Sequence, residues 1–335
     1  MPISGGLADG SNALLFSTVI LYALAMLSYA GDLAFAKQRV MTGVPARVAV
    51  GAGGPPVAVP LNATPPAADQ PADESRSDSR WPSGLWMRTA YGLTCIGLFC
   101  HVLAIATRGL AEHRVPWGNM YEFVAAITCM AVLVLVVASA RYKAYYMGLF
   151  VLVPVVFGLG VDLTLIYTPA GSLVPALQSY WIAIHVTAMI VAAGLFIFGA
   201  VVTTTYLLAE RSQRRVGAGQ PSWSAGILSH LPGPIVLDRL SYRSVLFGFP
   251  VWTFGVMAGA IWADHAWGRY WGWDPKETWS FITWVVYAMF LHARATAGWR
   301  GRRAAWIHLA GFGCLMFNLI GINLLVTGLH SYAGI

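Results

Sequence analysis

The sequence predicts an all-α membrane protein, a bundle of eight transmembrane helices with both termini on the outer face. Three observations lead to this fold class. The chain of 335 residues is 57% hydrophobic and only 10% charged, whereas soluble domains carry roughly a quarter of charged residues. Eight apolar segments are long enough to cross a bilayer, and the basic residues collect on one side of the membrane that these segments define.

The eight predicted spans follow from length and hydropathy alone. A transmembrane helix needs about 20 mostly apolar residues. The segments that meet this condition lie near 12–36, 86–108, 120–140, 144–163, 181–209, 244–265, 279–298 and 305–327. The first has no basic residue before it and is followed by Lys37 and Arg39, which predicts a transmembrane anchor over 1–36 rather than a cleaved secretory signal.

Residues 37–85 are predicted to form a flexible cytoplasmic linker. The stretch NATPPAADQPADESRSDSR is typical of this segment, which is rich in Pro, Ala, Gly, Ser and Asp. Such a composition cannot bury enough apolar surface to offset the entropy of ordering the chain. The remaining seven spans then belong to a second transmembrane domain over 86–335.

Lysine and arginine are distributed unequally between the two sides of the membrane. With the N-terminus outside, the cytoplasmic loops and span edges hold 17 of the 21 basic residues. The outer side keeps only Arg108, Arg114, Arg269 and Lys276. Because basic residues concentrate in cytoplasmic loops, this asymmetry predicts that both termini are outside. Anchoring charges also account for the net charge of +7, and we predict no nucleic-acid binding.

The outer loop between the sixth and seventh predicted spans is unusually rich in tryptophan. Residues 267–279 read WGRYWGWDPKETW, so that Trp267, Trp271, Trp273 and Trp279 fall within a single short loop. Tryptophan also forms ordinary interfacial belts, but a belt places about one ring at each helix end. The cluster instead predicts a rigid apolar floor for a large, flat, amphiphilic ligand.

Local signals predict the shape of this segment. If part of it is helical, Trp267 and Trp271 lie on one face at positions i and i+4. Asp274 is a predicted N-cap of a helix that begins at Pro275, with Glu277 in its first turn. The segment should therefore combine fixed rings with a few fixed charges.

Three histidines point to the nature of the ligand. His185 lies near the outer end of the fifth span, and His330 lies just past the outer end of the eighth. Two imidazoles beside an aromatic floor could hold a haem iron from both faces, although one structural and one surface histidine would give the same pattern. His292 follows Trp279 by thirteen residues, about 20 Å deeper, and marks either a second ligand site or a polar contact within the bundle.

The other histidines and the cysteines carry less information. His101 and His308 are predicted to be structural, because no motif accompanies either of them. His265 borders the tryptophan-rich loop and is the first substitute if one of the paired histidines is not a ligand. No role is predicted for His113 or His230. The four cysteines lie inside apolar segments without a CxxC pair, which is typical of small core residues.

At this point the motifs resemble those of a known family. WGRYWGWDPKETWS resembles the tryptophan-rich WWD motif of the haem-handling proteins of cytochrome c assembly. His185, the LHAR stretch with His292 and the GLHSYA stretch with His330 are similar to the CcsA branch, also called ResC. The external PWGNMYEF (Pro116 to Phe123) resembles the same branch, and the resemblance covers about 86–335.

The resemblance implies a membrane-embedded role in haem attachment. It implies that 86–335 is a haem-handling domain whose external WWD segment is 267–279, in the plasma (inner) membrane with the site on the periplasmic face. Such proteins act with a CcsB or ResB membrane partner as a cytochrome c synthase, or haem lyase. They pass haem b outward and present it to the CxxCH motif of apocytochrome c, and a thioredoxin-like protein is an expected reductant.

The resemblance also implies roles for individual residues. His292 would bind a transmembrane haem together with a histidine of the partner chain, and His185 and His330 would be the axial ligands of the outer haem. The residues that would form the platform of the outer haem are Trp267, Trp271, Trp273, Asp274 and Trp279. The chemistry of haem agrees, because an apolar macrocycle with two propionates suits a floor of indoles rimmed by Arg269 or Lys276.

Two other functions remain compatible with parts of this pattern. A haem exporter without ligation activity would need the same binding residues. A b-type cytochrome subunit that transfers electrons would also bind haem in the membrane, but such subunits commonly carry paired ligands on shared helices. The intramembrane histidines His101, His185, His292 and His308 lie in four different spans, which disfavours the second alternative.

Overall fold

The computed structural model describes residues 5–35, 84–171, 173, 175–221, 231–326 and 328–330. Nearly all of the predicted linker at 37–85 lies outside these residues, as does His230. Within the described ranges the regular structure is entirely helical and contains no strand. The prediction of an all-α fold is therefore confirmed for this part of the chain.

Eight helices of at least fifteen residues organise the described chain. They are α1 (Gly5–Phe35), α2 (Leu85–Glu112), α3 (Met120–Tyr142), α4 (Gly148–Leu165), α5 (Tyr180–Gly217), α6 (Pro234–Trp267), α7 (Pro275–Ala295) and α8 (Arg302–Met316). Short 3-10 turns at Tyr145–Met147 and Pro175–Leu177 precede α4 and α5. Beyond α8 the chain continues through a π-helical turn, Phe317–Gly321, and a short helical turn, Ile322–Leu325.

Seven segments of the described chain are long and apolar enough to cross a membrane. They are α1, α2, α3, Tyr145–Leu165, α5, α6 and Arg302–Gly321. The prediction of a polytopic helical membrane protein is confirmed at this level. The helix in the place of the predicted span at 279–298 is α7, whose 21 residues reach about 30 Å. Its Trp, Tyr, Thr, His and Arg side chains lower its hydropathy, which explains why it is not among the seven.

The tryptophan-rich loop begins and ends at well-defined caps. Helix α6 ends at Trp267, because Gly268 takes a positive φ of 69° and donates its N–H to the Asp264 carbonyl. Asp274 is the N-cap of α7, and the Glu277 carboxylate accepts the Asp274 N–H in a capping box. The predicted cap is therefore confirmed. The conditional prediction of a helical face shared by Trp267 and Trp271 is wrong, because the helix stops at the first of them.

The core consists of two clusters of buried apolar side chains. One lies mainly among α1 to α4, and the other lies mainly among α5 to α8. Helix α1 packs along α2 and α4, with Tyr22 and Tyr29 buried. A Cβ at Gly148 of α4 would overlap the Tyr29 ring, so these two helices approach closely only because this position is glycine. The N-terminal helix is thus an integral part of the first cluster.

Several helix ends meet at one end of the bundle and form a cavity there. The long antiparallel pair α5 and α6 places the start of α5 beside the end of α6. The starts of α3 and α7 and the residues that follow α8 reach the same end of the bundle, where all of these segments line one cavity.

Candidate functional site

A deep cavity opens at this end of the bundle, between α3, α5, α6, α7 and the residues after α8. Its empty volume is about 1120 Å³, part of which is open solvent. The aromatic side chains of its wall are Trp117, Phe123, Trp252, Trp262, Trp267, Tyr270 and Trp271. The polar side chains are His185, Lys276, Glu277, Ser280, Asn119, Asn318 and His330. An apolar cavity with a few convergent polar groups is the usual form of a small-molecule site.

His185 is held on the cavity wall by the backbone of α6. Its Nδ1 lies 2.7 Å from the carbonyl oxygen of Gly255. A carbonyl oxygen only accepts hydrogen bonds, so Nδ1 carries the proton and Nε2 carries the lone pair. The ring also packs directly over Gly259, where a Cβ would come within 2.7 Å of it. This histidine therefore has a fixed orientation and a fixed tautomer.

His330 is held in an equivalent way by a carboxylate. Its Nδ1 lies 2.8 Å from Oδ1 of the buried Asp274, whose Oδ2 accepts the N–H of Leu329 at 3.0 Å. Burial acts to raise the pKa of Asp274, but the hydrogen bonds from His330 and Leu329 outweigh it and hold this pKa below its usual value. Asp274 is thus an ionised acceptor at neutral pH, and it holds His330 through Nδ1, so Nε2 is the ring nitrogen that this bond does not use.

Trp262 connects the two imidazoles. Its ring is nearly parallel to that of His185, with centroids 6.0 Å apart and an interplanar angle of 6°. It lies 5.8 Å from the His330 ring, and Trp267 lies 5.0 Å from the same histidine. His185 and His330 also line the same cavity. The two histidines therefore belong to a single aromatic site.

The structure separates the four tryptophans of the 267–279 loop. Trp267 and Trp271 line the cavity. The side chain of Trp273 is 66% exposed, its backbone has a positive φ of 57°, and it does not line the described cavity wall. Trp279 packs on Phe317 with ring centroids 4.3 Å apart, also away from that wall. Of the residues predicted to form the platform, Trp267 and Trp271 line the cavity wall. Asp274 contacts His330 and is not itself a wall residue.

The remaining histidines lie elsewhere. His292 is exposed on the surface of α7, towards the opposite end of the bundle, and its Nδ1 is 3.4 Å from the Thr296 hydroxyl. His101 and His308 are fully buried, and His308 contacts the hydroxyl groups of Thr203 and Ser241 at 2.8 and 3.0 Å. His265 is exposed and bonds a backbone carbonyl of its own helix.

Sequence reasoning missed several residues of this wall. Trp262 lies five residues before the tryptophan-rich loop, within a predicted span, and Trp252 lies deeper in the same helix. Trp117 enters from the loop before α3, where its indole N–H donates to the Thr187 hydroxyl at 3.1 Å. A count of tryptophans at the outer ends of all spans, rather than in one loop, would have singled out Trp117 and Trp262.

This arrangement suits a planar metal macrocycle. Two imidazoles that are each held through Nδ1 could offer Nε2 as a ligand, and a pair of imidazoles is a common donor set for a six-coordinate haem iron. Indole rings cover an apolar ring system and exclude water from it. The side chains of the cavity therefore fit haem on chemical grounds.

Comparison with known proteins places the chain in a family. A family described as "Cytochrome C assembly protein" matches residues 117–330, the part of the chain that builds the cavity. A protein of Guillardia theta called "Cytochrome c biogenesis protein CcsA" is 34% identical over 259 residues, which cover 72% of this chain and 84% of the relative. A protein of the same name from Gloeobacter violaceus is 34% identical over 288 residues, which cover 72% of this chain and 85% of the relative.

A solved structure shares the fold. The "Cytochrome c Heme Lyase CcmF" superposes with a TM-score of 0.57 at 14% sequence identity. The match covers 95% of this chain and 47% of that chain. The helical arrangement is thus found in a larger protein, and at this identity the likeness concerns the fold alone.

Proposed function

The chain belongs to the cytochrome c assembly protein family, and on that premise we propose that it binds haem b in the outer cavity and presents it to apocytochrome c. The haem would be attached there to the two thiols of a CxxCH motif. The observation that carries the proposal is the pair His185 and His330, which line one aromatic cavity with each Nδ1 bound to an acceptor. In this role the chain is a component of a haem lyase.

The histidines and the tryptophans of the cavity have different roles in this proposal. His185 is oriented by a backbone carbonyl and His330 by the carboxylate of Asp274, so the two rings can bind the iron from opposite faces. Trp262, Trp267 and the other indoles cover the macrocycle and exclude water. The haem, when bound, supplies vinyl groups for the thiols. Because the CxxCH histidine must reach the iron, one of the two imidazoles has to give way.

We place α7 across the membrane as an eighth span, with both termini outside and the cavity on the periplasmic face of the plasma membrane. The length of α7 and the unequal distribution of basic residues support this topology. The cytoplasmic end of α5 then carries Arg211, Arg214 and Arg215.

The topology can be tested by labelling. A cysteine introduced at Arg214, which is exposed near the end of α5, should resist a membrane-impermeant maleimide in intact cells and react after lysis. A cysteine at Tyr270, exposed in the loop before α7, should react in both. Labelling of the first position in intact cells would contradict the orientation.

His292 is the proposed entry point for haem. It lies about 20 Å along α7 from Trp279, and its exposed position on the helix surface supports a site shared with another membrane protein. A CcsB or ResB-type partner would supply the second histidine of that transmembrane site. Apocytochrome c and a thioredoxin-like reductant are the further proposed partners.

A transfer assay tests the function. The full chain, purified with its partner and loaded with haem, is mixed with reduced apocytochrome c, and covalent haem is measured in the cytochrome. We expect bound haem to fall as covalent haem rises, and His292→Ala to slow the refilling of the outer site. Released but unattached haem would indicate an exporter, and haem that stays in place would indicate a b-type cytochrome.

A further inference from the structure

The cavity wall contains a cation that the proposed function does not yet use. Lys276, in the first turn of α7, lines the cavity. Arg269, the other cation of the tryptophan-rich loop, does not appear in the described wall. Its guanidinium packs against Gly272, in the space where a Cβ of that residue would lie. The two positive charges of the loop are therefore in different places. Lys276 lines the cavity, and Arg269 packs against the loop backbone.

The charge of Lys276 is only partly offset, because the carboxylate of Asp274 attracts it without forming an ion pair with it. No carboxylate lies within ion-pair distance of its ammonium in the part of the chain that the structure describes. The nearby Asp274 is engaged elsewhere, because its two oxygens accept from His330 and from the Leu329 N–H. Burying an ammonium away from water without a paired anion is unfavourable. The pattern indicates a ligand that brings its own negative charge.

The adjacent Glu277 also lines the cavity, and its Oε1 is buried without a hydrogen-bond partner, but within the described chain it forms no ion pair with Lys276. Its Oε2 accepts the N–H of Gly272 at 2.8 Å and the N–H of Asp274 at 3.1 Å. The carboxylate is therefore engaged with the loop backbone and stabilises the turn before α7. These two neighbouring residues therefore differ in role. Glu277 stabilises the loop backbone, and Lys276 can contact a ligand in the cavity.

We propose that Lys276 binds a propionate carboxylate of the haem and thereby fixes the rotation of the macrocycle in the cavity. The inference rests on the proposed function, because it needs haem between His185 and His330. Lys276 lines the same cavity as His185 and His330, and it lies in the first turn of α7. The propionates and the vinyl groups occupy opposite edges of haem. A propionate held at Lys276 turns the vinyl edge away from α7 and determines which edge meets the thiols.

A thermodynamic cycle tests this role without any attachment chemistry. The full chain with its partner is titrated with iron mesoporphyrin, which lacks vinyl groups, and with its dimethyl ester, which lacks the carboxylate charges. Binding is followed by the absorption of the iron. We expect the unchanged protein to favour the diacid by roughly tenfold or more, the value of one charged hydrogen bond. Lys276→Met should remove most of that preference, and Lys276→Arg should retain it.

Matched variants make the result decisive. Arg269→Met removes a charge from the same loop outside the described wall and should keep the full preference. Lys276→Gln is a second neutral variant, in case the methionine disturbs folding. If both neutral variants bind the two porphyrins and discriminate between them as the unchanged protein does, the role of Lys276 is refuted while haem binding stands. If the unchanged protein binds neither porphyrin, the proposed function fails as well.

Discussion

Replacing either His185 or His330 with alanine should abolish the bis-histidine absorption spectrum of the bound haem and stop cytochrome c maturation. In the proposed site each ring would supply one axial ligand, and because each is held by its own acceptor, neither could take the place of the other. Loss of a supporting group near a metal typically weakens binding 10- to 100-fold, and loss of the ligand itself should exceed about 100-fold. The spectrum of the purified complex and the yield of covalent cytochrome measure both effects.

The matched control for this pair is His265→Ala. His265 lies on α6 near the same end of the bundle, but it is exposed and does not line the described cavity. It should keep both the spectrum and maturation, and all three variants should reach the membrane at normal levels. If the two single variants keep a bis-histidine spectrum and full maturation with the partner present, another pair ligates the iron, and His265 becomes the first residue to test.

Asp274→Ala should have the next largest effect, a roughly 10- to 100-fold loss of haem affinity with little change in the amount of inserted protein. The substitution removes the acceptor of His330 Nδ1 and the acceptor of the Leu329 N–H at the same time. His330 is then free to rotate or to change its tautomer, so its Nε2 is no longer directed towards the iron. Haem content after purification and the rate of haem loss to a scavenger protein measure the effect.

Two further substitutions separate this role from helix capping. Asp274 is also the N-cap of α7, and Asp274→Asn retains an oxygen that can accept a hydrogen bond while removing the charge. It should lose less haem than the alanine variant. Asp264→Ala changes a carboxylate of the preceding helix that is outside the described cavity wall, and it should be neutral. Equal haem retention by Asp274→Ala and Asp264→Ala would refute the orienting role.

Features that depend on distance along one helix could be predicted from the sequence. Hydropathy located the apolar helices, and the capping signal at Asp274 located the start of α7. His185 and His330 were predicted at one level because depth follows from residue number at 1.5 Å per residue. Both line the cavity, while their role as ligands remains a prediction.

Features that depend on how separate helices pack could not be predicted in this way. Trp262 joins the site because α5 lies along α6, and Gly255 supplies an acceptor for the same reason. Trp273 was grouped with its neighbours in sequence, but the positive φ at this residue accompanies an exposed ring. Side-chain direction in a loop depends on single dihedral angles, and composition carries no information about them.

Hydropathy predicts the end of a membrane span and does not locate the end of the longest helix. The fifth span was predicted to stop near 209, whereas α5 continues to Gly217 through Glu210, Arg211 and Arg214. Arg214 pairs with Glu210 one turn earlier, at 2.7 Å, in a pair that supports a solvated helix. The apolar pattern marks the edge of the bilayer, whereas the helix itself ends only at the caps that follow.

The position of His330 after α8 has a consequence for biosynthesis. A membrane protein is inserted from its N-terminus as it is translated, so α1 to α7 can be in place before this residue leaves the ribosome. His330 then reaches back across the bundle to Asp274, and one wall of the cavity is completed only at that step. A chain interrupted within α8 would keep the earlier helices but lack His330, so the proposed site could form only after His330 has been translated.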